Sequence, residues 1–359
     1  MHSYRAVLGM AIISVALMSS CQGQINEEAI VYEIDPVNFS SWVRLYKIED
    51  ITELENKDGY PLSNAYKCLV SNDRVVYWDY KGKNVSLFDR NGTFIHSVGS
   101  RGKASSEYID IHSIAFNEDK SIIKVLDERG IINYSAKDGS YISRECQDLD
   151  DVALIEKFYP IGNDYLLFSS QRENCITLYH EGKERGLRQK EGFVMSTEHF
   201  YGYKDTVRVI SDYGDFFIDS YYNGNLQKRF VFDLAGRELP RENKPKSFAE
   251  FGKIDSDPLY FKSIVSAYET ENYLYLSVVG YKRDAYDCFI NKNTRKVYAG
   301  PSDKKSGICI MDCDEKYFYA LIYSDSVEKD SFMYPILKDK IQNDEETVFL
   351  IKFVINENL

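Results

Sequence analysis

The sequence predicts an all-β fold, a six-bladed β-propeller built from four-stranded antiparallel blades. Four glycine-containing turn signals recur at intervals of 42 to 47 residues: Asn91-Gly92, Asp138-Gly139, Glu181-Gly182 and Asn223-Gly224. Residues that favour strands flank these signals, as a repeated hairpin requires. The composition, with 29 Tyr and 20 Phe against 8 Pro, suits many short strands. A repeat of roughly 40 to 50 residues is typical of propeller blades.

The first 20 residues are predicted to be an export signal that is removed. Residues 1–5 are basic and residues 6–18 are apolar, which is too short a run to span a bilayer permanently. Ser19 and Ser20 lead into Cys21 as in a bacterial lipobox, in which the cysteine is diacylglycerated and becomes the new amino terminus. The usual leucine three residues before the cysteine is displaced by one place, because Leu17 precedes Met18. We therefore expect lipidation at Cys21, a tether over residues 21–40 and the propeller over residues 41–359.

Six strand-rich units follow one another from about residue 65. The strand expected to lie innermost in each unit covers residues 74–79, 121–127, 164–168, 206–210, 273–277 and 317–322. Two polar connections, about residues 237–258 and 325–346, are expected to be excursions from blade edges. Residues 42–48 have strand character without a local partner, and pairing beside the sixth unit would close the ring and leave no exposed edge.

Charge and motif content narrow the function classes. The formal net charge of −12, without a cluster of basic residues, argues against a nucleic-acid partner. The sequence also lacks a nucleophile elbow, a P-loop, an H-E-x-x-H motif and an EF-hand loop. Beyond Cys21, six scattered cysteines are expected to be mainly buried apolar residues.

One stretch of the sequence is similar to a known family. It consists of residues 85–95, followed by Ser97-Val98-Gly99-Ser100-Arg101-Gly102 and Glu107-Tyr108. This phrase resembles the first blade of the six-bladed β-propeller lipoproteins of Bacteroidales, which are related to NHL and TolB-like propellers. The specific match covers about residues 75–127. The family's Gly-Pro-Gly before the glutamate is Ala104-Ser105-Ser106 here. The resemblance implies a lipoprotein. Gln22 after Cys21 is compatible with the outer membrane, with periplasmic or surface placement left open, and we expect a monomer.

Two sets of residues are candidates for a site. Arg101, Glu107 and Tyr108 are candidates for a ligand-binding surface loop, and the alternative is that Arg101 and Glu107 form an ion pair that stiffens the link between the first two units. Propeller hydrolases of the lactonase type hold calcium in the central channel, and aspartates at the ends of inner strands would supply such ligands. The candidates are Asp79, Asp127, Asp212 and Asp219, and the alternative for each is a turn cap or a blade-to-blade hydrogen bond.

Two functions stay open at this point. The first is a non-catalytic binding or scaffold protein of the cell envelope, without a cofactor, whose partner is a glycan, a peptide or an envelope protein. The second is a calcium-dependent propeller hydrolase or lactonase. The fold alone does not choose between them, because propellers host both.

Overall fold

The structure is a computed structural model, and it describes residues 29–36, 38–39, 42–57, 62–147, 149, 151–194, 198–341 and 347–356. Cys21 and the predicted export signal lie outside the described residues. Two strands precede the first complete blade, β1 (Ile30–Glu33) and β2 (Tyr46–Leu54). Three short α-helices are present in the described chain, α1 (Trp42–Leu45), α2 (Phe248–Asp255) and α3 (Tyr334–Leu337). Four 3-10 turns cover Val152–Leu154, Arg241–Asn243, Tyr281–Arg283 and Ser324–Ser326.

The remaining strands form blades in chain order. Blade I contains β3 (Ala65–Val70), β4 (Arg74–Asp79), β5 (Asn84–Asp89) and β6 (Phe94–Ser97). Blade II contains β7 (Ser113–Phe116), β8 (Ile122–Asp127), β9 (Gly130–Ser135) and β10 (Tyr141–Glu145). Blade III contains β11 (Lys157–Ile161), β12 (Asp164–Phe168), β13 (Asn174–His180) and β14 (Lys183–Gln189).

The second half of the ring repeats this pattern. Blade IV contains β15 (Phe200–Tyr203), β16 (Thr206–Ile210), β17 (Phe217–Tyr222) and β18 (Asn225–Asp233). Blade V contains β19 (Ser263–Glu269), β20 (Tyr273–Val279), β21 (Ala285–Asn291) and β22 (Val297–Pro301). Blade VI contains β23 (Cys309–Cys313), β24 (Phe318–Tyr323), β25 (Val348–Ile355) and, as its fourth strand, β2.

The prediction of a six-bladed propeller is confirmed. The first strands of the six blades (β3, β7, β11, β15, β19 and β23) adjoin one another in ring order, and β23 lies beside β3. The four turn signals all connect the third strand of a blade to the fourth, in blades I to IV. Their glycines have φ between +68° and +85°, a region that favours glycine.

The assignment of the innermost strands was wrong by one strand. The strands expected to face the channel, such as Arg74–Asp79, are the second strands of their blades. The true inner strands, such as Ala65–Val70, have a less regular apolar pattern because their side chains line the channel and mix with polar groups. This shift changes where the predicted site residues lie.

The ring closes as predicted, with chain from both ends. β2 pairs antiparallel with β25 from Tyr46 opposite Ile355 to Leu54 opposite Val348. A blade that combines strands from both ends of the domain prevents the ring from opening without breaking its own sheet.

The amino-terminal segment also forms a belt around three other blades. β1 lies parallel to β18 as a fifth strand of blade IV, within the stretch expected to be a tether. The Phe39 amide donates a hydrogen bond to the Ala299 carbonyl of blade V at 2.9 Å. After β2, the Glu55 amide donates to the Gly92 carbonyl of blade I at 2.8 Å. Residues 30–55 therefore join four consecutive blades along the circumference.

The ring has two distinct faces, because successive strands of a blade run antiparallel. We call the face with the links between blades and the turns between second and third strands the blade-connection face. The hairpin face carries the other turns, those between first and second strands and between third and fourth strands. The central channel opens between these faces.

Ion pairs and aromatic rings join neighbouring blades. Arg208 of blade IV contacts Glu269 of blade V at 2.8 Å, and Arg188 of blade III contacts Asp219 of blade IV at 2.9 Å. Tyr275 and Phe289 of blade V lie 5.0 Å apart by ring centroids in the core that blade V shares with blade VI. Much of the aromatic content therefore stabilises the ring.

Candidate functional site

The predicted surface loop around Arg101 lies on the blade-connection face, between blades I and II, and it is bonded to itself. The Gly102 amide donates to the Tyr108 carbonyl at 3.0 Å. Arg101 Nε donates to the Ile109 carbonyl at 3.2 Å, and Glu107 Oε2 accepts from the Ala104 amide at 2.8 Å. Tyr108 is buried. Arg101 and Glu107 thus bind backbone groups of the loop rather than each other, and of the three predicted residues Arg101 is exposed and Glu107 is half-buried.

Asp79 and Asp127 end second strands, not inner strands, so the expectation that they line the channel was wrong. Asp79 Oδ2 accepts hydrogen bonds from the Ser63 amide at 2.8 Å and the Asn64 amide at 3.1 Å. Asp127 contacts Arg144 at 2.5 Å within blade II. Both carboxylates are buried and hold a turn or a neighbouring strand in place.

The two aspartates of blade IV have local partners as well. Asp219 lies on the third strand and contacts Arg188 at 2.9 Å and Arg229 at 2.6 Å. Asp212 follows the second strand, and the Cys175 thiol lies 3.9 Å from its Oδ2. The structure does not bring the four predicted aspartates together. Over the described ranges, no cluster of three or more His, Cys, Asp or Glu side chains is arranged to hold a metal ion.

The centre of the channel is crossed by an ion pair that the sequence did not reveal. Lys67 Nζ of blade I lies 2.9 Å from Glu198 Oε1, in the segment that leads into blade IV on the opposite side of the ring. Burial raises the pKa of Glu198, but the charges of Lys67 and Lys157 outweigh burial and leave that pKa below its usual value. Two ammonium groups beside one carboxylate are a poor ligand set for calcium, which prefers several oxygen ligands.

The hairpin face carries a wide basin of about 760 Å³ above this ion pair. Residues of all six blades line it, among them the turn residues Asn72, Lys120, Gly162, Lys204 and Tyr317. The basin is open and has a mixed lining of charges and tyrosines. Lysines outside its lining already cover two of its rings, since Lys292 lies 3.9 Å from the centroid of Tyr203 and Lys352 lies 3.8 Å from that of Tyr317.

The blade-connection face carries a narrower cavity of about 320 Å³, which we call the aromatic cleft. Blades I, II and III build it from the start of β3, the end of β4 and the links that precede β7 and β11. Its lining residues are Tyr66, Trp78, Tyr80, Lys83, Asp110, Ile111, His112, Ala153, Glu156 and Lys157.

Three aromatic rings form one wall of the cleft. The ring of Tyr66 lies 4.5 Å from that of Trp78 and stacks with that of Tyr80 at 5.9 Å. Tyr80 is 60 % exposed and Tyr66 is 39 % exposed, whereas Trp78 is buried beneath them. The wall therefore presents two tyrosine faces to solvent on a rigid support.

A buried lysine fixes this wall. Lys157 Nζ donates a hydrogen bond to the Tyr66 hydroxyl at 2.8 Å and lies 4.3 Å from the centroid of the same ring. The Lys157 side chain is almost fully buried. A desolvated ammonium over an aromatic ring is a favourable contact, so Tyr66 has little freedom to rotate away.

The lysines and carboxylates that line the cleft are equal in number. Lys83 contacts Asp110 at 3.1 Å, and Glu156 Oε1 accepts from the Ser170 amide at 2.8 Å. His112 Nδ1 lies 2.9 Å from the Ile155 carbonyl, which only accepts, so Nδ1 carries a proton. Two lysines and two carboxylates line the cleft together. It thus offers paired donors and acceptors with no net charge.

Sequence reasoning missed this cleft. Its one local signal is the run Tyr77-Trp78-Asp79-Tyr80 at the end of a strand, where two aromatic side chains stay near the turn. The other members lie between Tyr66, which precedes this run, and Lys157, which follows it by nearly 80 residues, and only the ring brings them together.

Comparison with known families adds to this geometry. A family model described as "Domain of unknown function (DUF4934)" matches residues 25–358. The chain belongs to this family. This match covers both the belt and all six blades, so the DUF4934 domain is the whole propeller. The sequence matches no curated protein.

Solved structures show the same fold. A Bacteroides fragilis protein assigned as exported is similar with a TM-score of 0.73 at 16 % identity, over 92 % of this chain and 100 % of that one. A DUF4221-family protein of Bacteroides vulgatus is similar with a TM-score of 0.55 at 10 % identity, over 87 % of this chain and 98 % of that one. At these identities the likeness concerns the fold. In the part of the DUF4934 chain that the structure describes, no helix is both long and apolar enough to cross a membrane.

Proposed function

We propose that this DUF4934 protein is a non-catalytic binding protein of the cell envelope that holds a neutral glycan in the aromatic cleft. The observation that carries the proposal is the wall of exposed, stacked Tyr66 and Tyr80 beside charge-balanced polar groups. Tyrosine combines a broad apolar face with a polar tip, which suits the apolar face and the hydroxyl rim of a sugar ring. A neutral lining favours neutral sugars, because an acidic sugar would need an unpaired cation.

We further propose that the protein is exported and anchored through an acylated Cys21. The lipobox-like sequence before Cys21 supports this placement, and the similar Bacteroides fragilis protein is also assigned as exported. Several acyl chains on one residue give stable anchoring. Replacement by Cys21→Ser is expected to move the protein from the membrane fraction to the soluble fraction.

The calcium-dependent hydrolase gains no support from the geometry. Its four candidate aspartates have separate structural roles, and the channel centre holds Glu198 paired with Lys67, with the charge of Lys157 also acting on Glu198. The charge balance there disfavours a divalent cation. We therefore do not carry the hydrolase forward as a second candidate.

The glycan proposal is tested by calorimetric titration of residues 22–359 with neutral β-linked tetrasaccharides of glucose, galactose, mannose and xylose. At least one is expected to bind. Tyr80→Ala should weaken its binding roughly 10- to 100-fold, because it removes about 1.5–3 kcal/mol of apolar contact.

The matched control is Tyr222→Ala, which removes a tyrosine of similar exposure, 43 %, from the hairpin face. This variant is expected to bind like the unchanged protein. An equal loss of affinity in both variants, or a loss in Tyr222→Ala alone, would contradict the proposal that the cleft binds the glycan.

A further inference from the structure

We propose that a platform of three phenylalanine rings beside blade IV docks the protein on the surface of a lipid bilayer. This aromatic platform consists of Phe193, Phe248 and Phe251. The inference rests on the lipid anchor proposed above and adds a second, non-covalent contact with the membrane. It does not involve the aromatic cleft.

The platform joins two links on the blade-connection face. Phe193 lies between blades III and IV, and α2, which carries Phe248 and Phe251, lies between blades IV and V. Phe193 lies 4.9 Å from Phe251 and 6.1 Å from Phe248 by ring centroids. The buried Tyr213 lies 5.1 Å from Phe251. The Phe193 amide also donates to the Pro245 carbonyl at 2.9 Å, so the rings stand on a fixed base.

The outer surface of this region is unusually apolar for an acidic protein. Phe248 is 75 % exposed and Leu259, in the same link, is 63 % exposed; no other large apolar side chain of the described residues is as exposed. Lys246 and Lys253, two positions before and five positions after Phe248, are exposed as well. Exposed Phe and Leu beside Lys are typical of segments that lie in a membrane interface.

The charges around the link that carries α2 indicate what drives docking on the membrane. The exposed Glu242 and Glu250 balance Lys246 and Lys253, and the exposed Arg241 lies 3.6 Å from the exposed Glu191. Because the platform has no excess of positive charge, burial of Phe and Leu drives docking and anionic lipid is not required. A zwitterionic bilayer is therefore the expected surface.

The path of the chain brings the anchor to this side of the ring. β1 runs parallel to β18 toward the blade-connection face, which places Ile30 on the outer edge of blade IV about 10 Å further from that face than Glu33. Cys21 lies nine positions before Ile30, so the tether reaches at most about 30 Å, which covers this distance. Arg237, at the start of the link that carries α2, then contacts Asp35 at 3.3 Å. The anchor and the platform thus reach the membrane from the same part of the propeller.

The platform and the aromatic cleft open on the same blade-connection face. The platform lies at blade IV, and blade I stands opposite blade IV in the ring. The cleft is displaced toward blade I, and none of its lining residues belongs to the platform.

The test places a fluorescent reporter on the platform. Full-length acylated protein carrying Phe248→Trp is reconstituted into phosphatidylcholine vesicles with brominated acyl chains, and emission is compared with that in unbrominated vesicles. We expect the added tryptophan to be quenched by bromine and shifted to shorter wavelength, after subtraction of the signal of the unchanged protein.

The matched control is Ile142→Trp on β10 of blade II, where the isoleucine is 50 % exposed. Its added tryptophan is expected to keep its emission in both vesicles. Equal quenching of both reporters would contradict a specific platform.

A mass spectrum of the amino-terminal peptide from the same sample separates the two proposals. Acylated Cys21 with an unquenched Phe248→Trp reporter overturns docking and leaves the anchor intact. Unacylated Cys21 removes the tether and overturns both. Neither result changes glycan binding by the cleft, which is measured without vesicles.

Discussion

Removal of the carboxylate that crosses the channel gives the sharpest test of how the ring is held together. Glu198→Gln keeps the shape of the side chain but leaves the Lys67 ammonium without its partner at 2.9 Å. Breaking a fully buried ion pair costs about 3–5 kcal/mol. The Lys67 and Glu198 side chains are 12 % and 19 % exposed, so some hydration persists and we expect a loss of about 2–3 kcal/mol in the free energy of unfolding.

The assay is urea unfolding at neutral pH. The double variant Lys67→Met/Glu198→Gln should lose less stability than Glu198→Gln alone, because it leaves no unpaired Lys67 ammonium in the channel. Glu191→Gln is the matched control, since Glu191 and Arg241 form an exposed pair at 3.6 Å, and it should leave the midpoint unchanged. A Glu198→Gln protein as stable as the unchanged protein would refute the role of this pair.

The pH dependence of this effect has a definite sign. The pKa of Glu198 is lowered in the folded protein by Lys67 and Lys157 in spite of burial. Its stabilisation is therefore complete above the pKa of the unfolded chain and is lost as pH falls through the folded value. The stability difference between the unchanged protein and Glu198→Gln should be largest at neutral pH and should shrink in acid.

Three further predictions test the belt, a buried acid and the channel. Gly92→Ala should lower the free energy of unfolding by more than about 2 kcal/mol, because φ is +85° and a Cβ would overlap the Glu53 carbonyl of the belt. The control is Gly236→Ala, at φ +73° in open space, which should lower it by about 1 kcal/mol; urea unfolding measures both. Burial raises the pKa of Asp287 to about 6, so the stability that its protonated form contributes is lost as pH rises through that value. The stability of Asp287→Asn relative to the unchanged protein should therefore increase by up to about 3 kcal/mol between pH 4 and 7.5. A stability difference that stays constant across that range would contradict this prediction. Millimolar calcium should leave the melting temperature unchanged, and a rise reversed by a chelator would instead support the hydrolase.

The parts of the fold that follow from local sequence were predictable. Asn91-Gly92 and its three counterparts mark turns whose positive φ depends only on the residues in the turn. The closing strand was recognisable because residues 42–48 lacked a local partner, although the observed strand runs from Tyr46 to Leu54. Such features need little information from distant parts of the chain.

The remaining features depend on contacts between distant residues. β1 is a four-residue strand that pairs parallel with a strand about 200 residues later. Because its partner is so distant, its sequence was interpreted as part of the tether. The inner strands were missed because side chains such as Lys67 face the channel and interrupt the apolar pattern. The cleft was missed because Lys157, which fixes Tyr66, belongs to a different blade.

A tryptophan titration tests the central claim, that the cleft holds the glycan. The chain contains two tryptophans, and Trp42→Phe leaves Trp78, beneath Tyr66, as the sole reporter. Titration with the tetrasaccharide that binds in calorimetry should change the emission of Trp78 with saturation at the calorimetric Kd. Calorimetric binding without any change in Trp78, or no binding by any of the tetrasaccharides, would contradict the account.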